Sequence, residues 1–228
     1  MKRGFWLYGA CIVAIQGLAA CGSNPVPQEA PETQTTTDAA QYDKLVVAFG
    51  DSLYAGYQLA PNEGLAPQLQ AALKADGINV RVHNAGVSGD TTAAGKLRLS
   101  FVLDNLDGKP DLVVLGLGGN DMLRGLKPEE TRANMIAMLD ELKKRQIPAL
   151  LTGMLASPNM GQDYVDAFNP IFPQLAKQYN APLYPFFLDG VVMDKALMLP
   201  DGVHPNAKGV ARVVEGLSPL VEVTLRKP

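Results

Sequence analysis

The chain has 228 residues, 47% of them hydrophobic and 19% charged, with 20 Lys+Arg against 23 Asp+Glu. That profile excludes disorder throughout, a collagen-like repeat and a multi-span membrane protein, and it accommodates one full-sized domain with appendages. Neither sign of charge gathers into a block that could follow a phosphate backbone, so nucleic acid is not an expected partner.

The N-terminus opens with Lys2-Arg3, continues through Phe5, Trp6, Leu7, Ile12, Val13 and Ile15, and closes on Leu18-Ala19-Ala20-Cys21. A charged start, an apolar run and a small-residue cleavage site form the layout of an export signal. A spanning helix needs ~20 apolar residues, and Gln16 and the glycines interrupt this run, which disfavours an uncleaved anchor. Leu18 to Cys21 resembles the lipobox of bacterial lipoproteins, in which the Cys thiol is joined to diacylglycerol and the signal is cut just before it. The resemblance implies a signal peptide over 1–20, lipid attachment at Cys21, and a membrane-anchored lipoprotein facing the periplasm at the outer membrane. Cys11 would leave with the signal, so the mature chain would hold no disulfide. From 21 to 44 the composition turns to Pro25, Pro27, Pro31, Thr35-Thr36-Thr37 and scattered acids, a stretch that reads as a flexible tether.

The folded domain is expected over 45–228. Leu45 to Phe49, Leu112 to Leu115 and Ala149 to Thr152 are near-continuous apolar runs of the kind buried on both faces of a parallel sheet. Val80-Arg81-Val82-His83 alternates, as an edge strand does. Helical spacing appears at Leu65, Leu69 and Leu73, at Leu99, Leu103 and Leu106, and at Met135, Met138, Leu139 and Leu142. The last of these begins at Pro128 with Glu129 and Glu130 and ends in Lys143, Lys144 and Arg145. Tyr164 to Tyr179 also reads as helix, kinked or broken at Pro170 and Pro173, and a final helix runs from about Asn206 to Leu220. Strands alternating with helices give a flavodoxin-like, three-layer α/β/α domain with a central parallel sheet of about five strands, whose ligands bind beyond the carboxyl ends of the strands.

Polar or glycine-rich clusters fall at those ends: Gly50-Asp51-Ser52, Asn84 to Asp90, Gly116 to Asp121, and Asp201-Gly202-Val203-His204-Pro205 before the last helix. Each alone has a plain explanation. Ser52 can cap the following helix, Gly86 can serve a turn, and Asp201-Gly202 is a turn dipeptide. Together they supply what acyl transfer needs. A serine hydroxyl is a weak nucleophile until an imidazole takes its proton, and the imidazole needs a carboxylate to fix its tautomer. Asp201 and His204 share one loop, and Pro205 holds His204 off the helix. The backbone N–H groups of Ser52 and Gly86 and the side-chain amide of Asn120 are candidate donors to an oxyanion. Ser88 is the only other serine in these clusters.

These four blocks resemble the SGNH/GDSL hydrolases, with Ser52, Gly86, Asn120 and His204 as the matching residues and Asp201 as the third triad member. GDSLYAGY, GGNDMLRG, YPFF and DGVHPN bring the chain nearest to the bacterial branch with acyl-CoA thioesterase, lysophospholipase and arylesterase activity. The resemblance implies a hydrolase of acyl esters and thioesters that uses no metal or cofactor, and the chain is expected to act as a monomer. That branch is soluble and periplasmic, whereas this chain carries a lipobox. A polysaccharide or peptidoglycan O-acetylesterase would use the same machinery, and a non-catalytic lipoprotein binding a small ligand at the same edge is the contrasting class. No Gly-x-Ser-x-Gly elbow is present, which disfavours an α/β-hydrolase.

Overall fold

The structure, a computed structural model, describes residues 42–226. The expected signal peptide, Cys21 and the tether as far as residue 41 lie outside the described residues. Strand β1 (Lys44–Gly50) is buried from Leu45 onward. Its Val46 and Ala48 enter one core and its Val47 and Phe49 the other, which is why the strand is apolar without alternation. β3 (Leu112–Gly116) divides in the same way, Leu112 and Val114 against Val113 and Leu115. β2 (Val80–Gly86) has a neighbour on one side only and keeps the alternating pattern of an edge. With β4 (Ala149–Thr152) and the two-residue β5 (Leu183–Tyr184) the sheet has five strands in the order β2-β1-β3-β4-β5, and every pairing is parallel. This is the flavodoxin-like order.

Parallel neighbours need crossovers, and helices supply them on both faces. One face carries α2 (Leu65–Ala75), through Leu65, Leu69 and Leu73, and α8 (Ala207–Leu225), through Val210, Val213, Val214, Leu217 and Val221. The other carries α3 (Thr92–Asp104), α5 (Pro128–Lys144), α6 (Gln162–Phe168) and α7 (Ile171–Tyr179). Two short helices, α1 (Ser52–Ala55) and α4 (Gly119–Leu123), sit directly after β1 and β3.

The chain between Tyr164 and Tyr179 breaks into α6 and α7 at Asn169-Pro170. Pro170 takes the N-cap of α7 and Pro173 falls in its first turn, where backbone N–H groups have no intrahelical acceptor and a missing one costs little. α8 runs five residues beyond the expected Leu220, straight through Pro219. Glu215 and Pro219 are both exposed, so the carbonyl freed at residue 215 meets water, while Leu217, Val221 and Leu225 keep the helix on the core.

Candidate active site

β1 lies between β2 and β3, so the strand order reverses there and opens a crevice at the carboxyl ends. The chain leaves β1 into α1 and leaves β3 toward α4, which brings the residues after both strands to that crevice. Asp51 caps α1: its side chain accepts the Leu53 N–H at 3.0 Å, and its carbonyl accepts the N–H groups of Tyr54 and Ala55. The cap is therefore Asp51 rather than Ser52, and the Ser52 hydroxyl and N–H are left out of it. Two close approaches fix where α1 sits. The Tyr54 ring covers Gly50 and Gly116, where any Cβ would lie within 2.5 Å of the ring, and its hydroxyl meets Thr152 Oγ1 at 2.7 Å. On the other side a Cβ at Gly86 would fall 2.2 Å from the Ala55 nitrogen. Gly86 has to be glycine so that α1 can reach β2, a packing demand independent of any catalytic one.

The loop before α8 delivers the other partners. Gly202 adopts a left-handed φ of 67°, turning the chain so that Asp201 Oδ1 accepts the N–H groups of His204 at 3.0 Å and Val203 at 2.9 Å. These bonds, with that from His204 foremost, hold the Asp201 carboxyl down at about 2. Its Oδ2 lies 2.7 Å from His204 Nδ1, and His204 Nε2 lies 2.8 Å from Ser52 Oγ. An ionised carboxylate only accepts, so Nδ1 carries the hydrogen and Nε2 offers its lone pair to the serine hydroxyl. Behind His204 the chain is clamped by the Leu199 N–H on the His204 carbonyl at 2.7 Å and by Asn206, which caps α8 through Lys208 and Gly209. Ser52, Asp201 and His204, separated by about 150 residues of sequence, thus form one continuous hydrogen-bonded line.

Asn120 lies in α4. Its Nδ2 donates to the Asp90 carbonyl at 2.9 Å and makes only a 3.5 Å approach to Asp51 Oδ2. The first bond fixes the plane of the amide and leaves its second N–H weakly engaged. The next residue, Asp121, is buried and accepts from the Thr92 N–H at 2.8 Å, the Thr92 hydroxyl, and the Thr131 hydroxyl at 3.2 Å, which ties α4 to α3 and α5. The Gly86 N–H is occupied by Asn84 Oδ1 at 2.9 Å. Ser88 is exposed on the loop after β2.

Sequence reasoning missed three contributors. The Tyr57 ring lies against His204, tilted by 36° with centroids 4.4 Å apart, a contact that no local spacing announces. Arg98 and Asp90 form a shielded pair beside Asn120. Asp51 is a buried carboxylate, and burial pushes it up to about 6 against the pull of the Leu53 N–H and of His204. In the unfolded chain an Asp titrates near ~3.9. The folded state therefore holds the extra proton between those values, and the stability this confers is complete below the lower value and lost as pH rises through the upper one. Asp51→Asn keeps the acceptor for Leu53 and removes the buried charge. Its melting temperature should exceed that of the wild type by about 5 °C near pH 8, and the difference should vanish near pH 4. Equal differences at the two pH values would refute the buried-charge account.

Residues 48–212 match the GDSL-like Lipase/Acylhydrolase family. Esterase TesA of Pseudomonas aeruginosa is 38% identical over 190 residues, 83% of this chain and 92% of that one. Thioesterase 1/protease 1/lysophospholipase L1 of Escherichia coli is 36% identical over 171 residues, 75% of this chain and 79% of its own length. Among solved structures, AlinE4, an SGNH-hydrolase family esterase, superposes with a TM-score of 0.68 at 49% identity, covering 81% of this chain and 97% of that structure. With the flavodoxin-like sheet and a family match that runs from β1 into α8, this chain belongs to the GDSL-like lipase/acylhydrolase family of α/β ester hydrolases.

Proposed function

We propose that the protein is a serine esterase and thioesterase that cleaves carboxylic esters and acyl thioesters through an acyl-enzyme on Ser52. The observation that carries this reading is the line Asp201–His204–Ser52, with its 2.7 and 2.8 Å contacts and its tautomer fixed by an ionised Asp201. Ser52 Oγ attacks the acyl carbon as His204 Nε2 takes its proton, and Asp201 stabilises the imidazolium that forms. The negative oxygen of the tetrahedral intermediate is met by the Ser52 N–H and the second N–H of Asn120. The Gly86 N–H joins them only when the Asn84 carboxamide turns away. His204 then returns the proton to the leaving alkoxide or thiolate, and water repeats the sequence on the acyl-serine. The relatives' printed names, esterase in one case and thioesterase with lysophospholipase in another, support esters and thioesters as the substrate class. A chain-length series of p-nitrophenyl esters and acyl-CoA thioesters tests it. Turnover of both, with a phosphonate probe attached to Ser52, is the expected result; hydrolysis confined to acetylated glycans would move the protein to the O-acetylesterase class, and no turnover would leave a ligand-binding protein.

The same reading places the enzyme on the periplasmic face of the outer membrane through lipid on Cys21. Its support is the Leu18-Ala19-Ala20-Cys21 sequence and the polar stretch that follows. One acyl chain holds a protein to a bilayer only marginally, and stable anchoring takes at least two signals. Cys21→Ser should therefore move the protein from the detergent phase to the aqueous phase with kcat on soluble esters unchanged. Wild-type protein that partitions into the aqueous phase would end the lipoprotein assignment.

A further inference from the structure

We propose that Arg98 is a positioning residue for hydrolysis, fixing the loop carbonyl that aims the Asn120 amide while itself standing away from the substrate. The proposal rests on Asn120 being an oxyanion donor. Arg98 projects from α3 into the space between the end of β1 and the loop after β2. Its Nε donates to Asp90 Oδ2 at 2.6 Å and its terminal nitrogen to the Gly50 carbonyl at 2.8 Å, while the guanidinium plane lies over the Phe49 ring with its carbon 4.0 Å from the centroid. The side chains of Arg98 and Asp90 are 19% and 12% exposed, so the pair is largely shielded from solvent.

Each of these contacts leads to a different part of the site. Gly50 is the last residue of β1, two before Ser52, and its carbonyl also accepts the Val87 N–H at 3.0 Å. Asp90 presents its own carbonyl to Asn120 Nδ2 at 2.9 Å. Arg98 thus bonds both to the turn that carries the nucleophile and to the residue whose carbonyl fixes the plane of the oxyanion amide. With the Asp90 carboxylate held, the backbone at residue 90 is fixed in direction and so is the hydrogen bond to Asn120. The task needs an arginine: two donors in one rigid plane reach two acceptors, and the flat face packs on an aromatic ring. A lysine offers a point charge that satisfies one acceptor at a time.

A donor turned away from a developing charge acts on the transition state more than on substrate binding, and a displacement of ~1 Å in such a group costs on the order of 10²-fold in rate. Arg98→Met should lower kcat on p-nitrophenyl butyrate by about 10–100-fold with KM changed by less than about twofold. Arg98→Lys should recover part of the loss. Asn120→Ala should by itself lower kcat by about 10²–10³-fold, and Arg98→Met added to it should cost less than about threefold more, because the group that Arg98 aims is gone. If Arg98→Met lowers kcat by the same factor with and without Asn120, the arginine does not act through the amide and the proposal is overturned. If Asn120→Ala alone turns over at the wild-type rate, the oxyanion reading fails and the proposal falls with it, by a result distinct from the former. Should Arg98→Met not fold, Asp90→Asn cuts the ion pair while keeping the backbone carbonyl. It must show the same dependence on Asn120, and a loss independent of Asn120 would refute the proposal equally.

Discussion

Ser52→Ala should lower kcat by about 10⁵–10⁶-fold and leave the fold intact. A serine at the start of a helix ordinarily raises the concern that its loss uncaps the helix, which costs roughly 1 kcal/mol. Here the cap is Asp51, whose side chain accepts the Leu53 N–H, and the Ser52 hydroxyl is directed at His204 Nε2. Alanine therefore removes the proposed nucleophile and one hydrogen bond at the crevice surface, while Tyr54 keeps α1 in its seat through Thr152 and the two flanking glycines. The melting temperature should stay within about 2 °C of the wild type, a shift on the scale of 1 kcal/mol or less. A covalent phosphonate should label the wild-type chain at Ser52 alone and leave the variant unlabelled. Turnover at the wild-type rate in the variant would remove Ser52 from the mechanism and turn attention to Ser88.

The contrast between Asp51 and Ser52 shows what sequence can and cannot say at this site. Gly50-Asp51-Ser52 is readable as a strand-to-helix turn capped by Ser52; the structure gives the cap to Asp51 and turns Ser52 to the imidazole. The sheet was legible because burial on both faces writes itself as continuous apolar runs at β1, β3 and β4, and one-sided pairing writes itself as alternation at β2. β5, two residues long, carries no periodicity of its own and is defined by its pairing with β4. α1 and α4 are likewise too short for a hydrophobic repeat, yet they hold Ser52 and Asn120. The Asp201/His204 pair was legible because its members are three residues apart. The Arg98–Asp90 pair, eight apart across a helix start, and the tilted Tyr57–His204 ring contact, across nearly 150 residues, exist only once the chain has closed.

Gly86 makes the same point from the other side. A glycine after an edge strand suggests either a turn or an oxyanion donor, and the structure supplies a third reason. Its Cα hydrogen faces the backbone of α1 with no room for a methyl group. The restriction lies in the approach of two backbones far apart in sequence, at Gly86 and at Tyr54-Ala55, so no local pattern records it.

The last prediction concerns the proposed base, and the chain's two histidines allow a clean decision. His204→Gln should abolish turnover, on the same scale as Ser52→Ala, since glutamine cannot take the hydroxyl proton. His83→Gln should keep most of it. His83 lies on β2 in register with Val47, and partial burial, with Arg81 nearby, pushes its imidazole below the ordinary histidine value. The protein thus favours a neutral ring there, and a neutral amide of similar size is a mild replacement. Asp201→Asn separates geometry from electrostatics. Asparagine Oδ1 can still accept the Val203 and His204 N–H groups that shape the loop, but the atom facing His204 Nδ1 becomes a donor and reverses the tautomer that presents a lone pair to Ser52. The expected loss is up to ~10⁴-fold with the fold retained. Steady-state rates of the three variants beside their melting curves decide the assignment. An essential His83 with a dispensable His204 would overturn the triad.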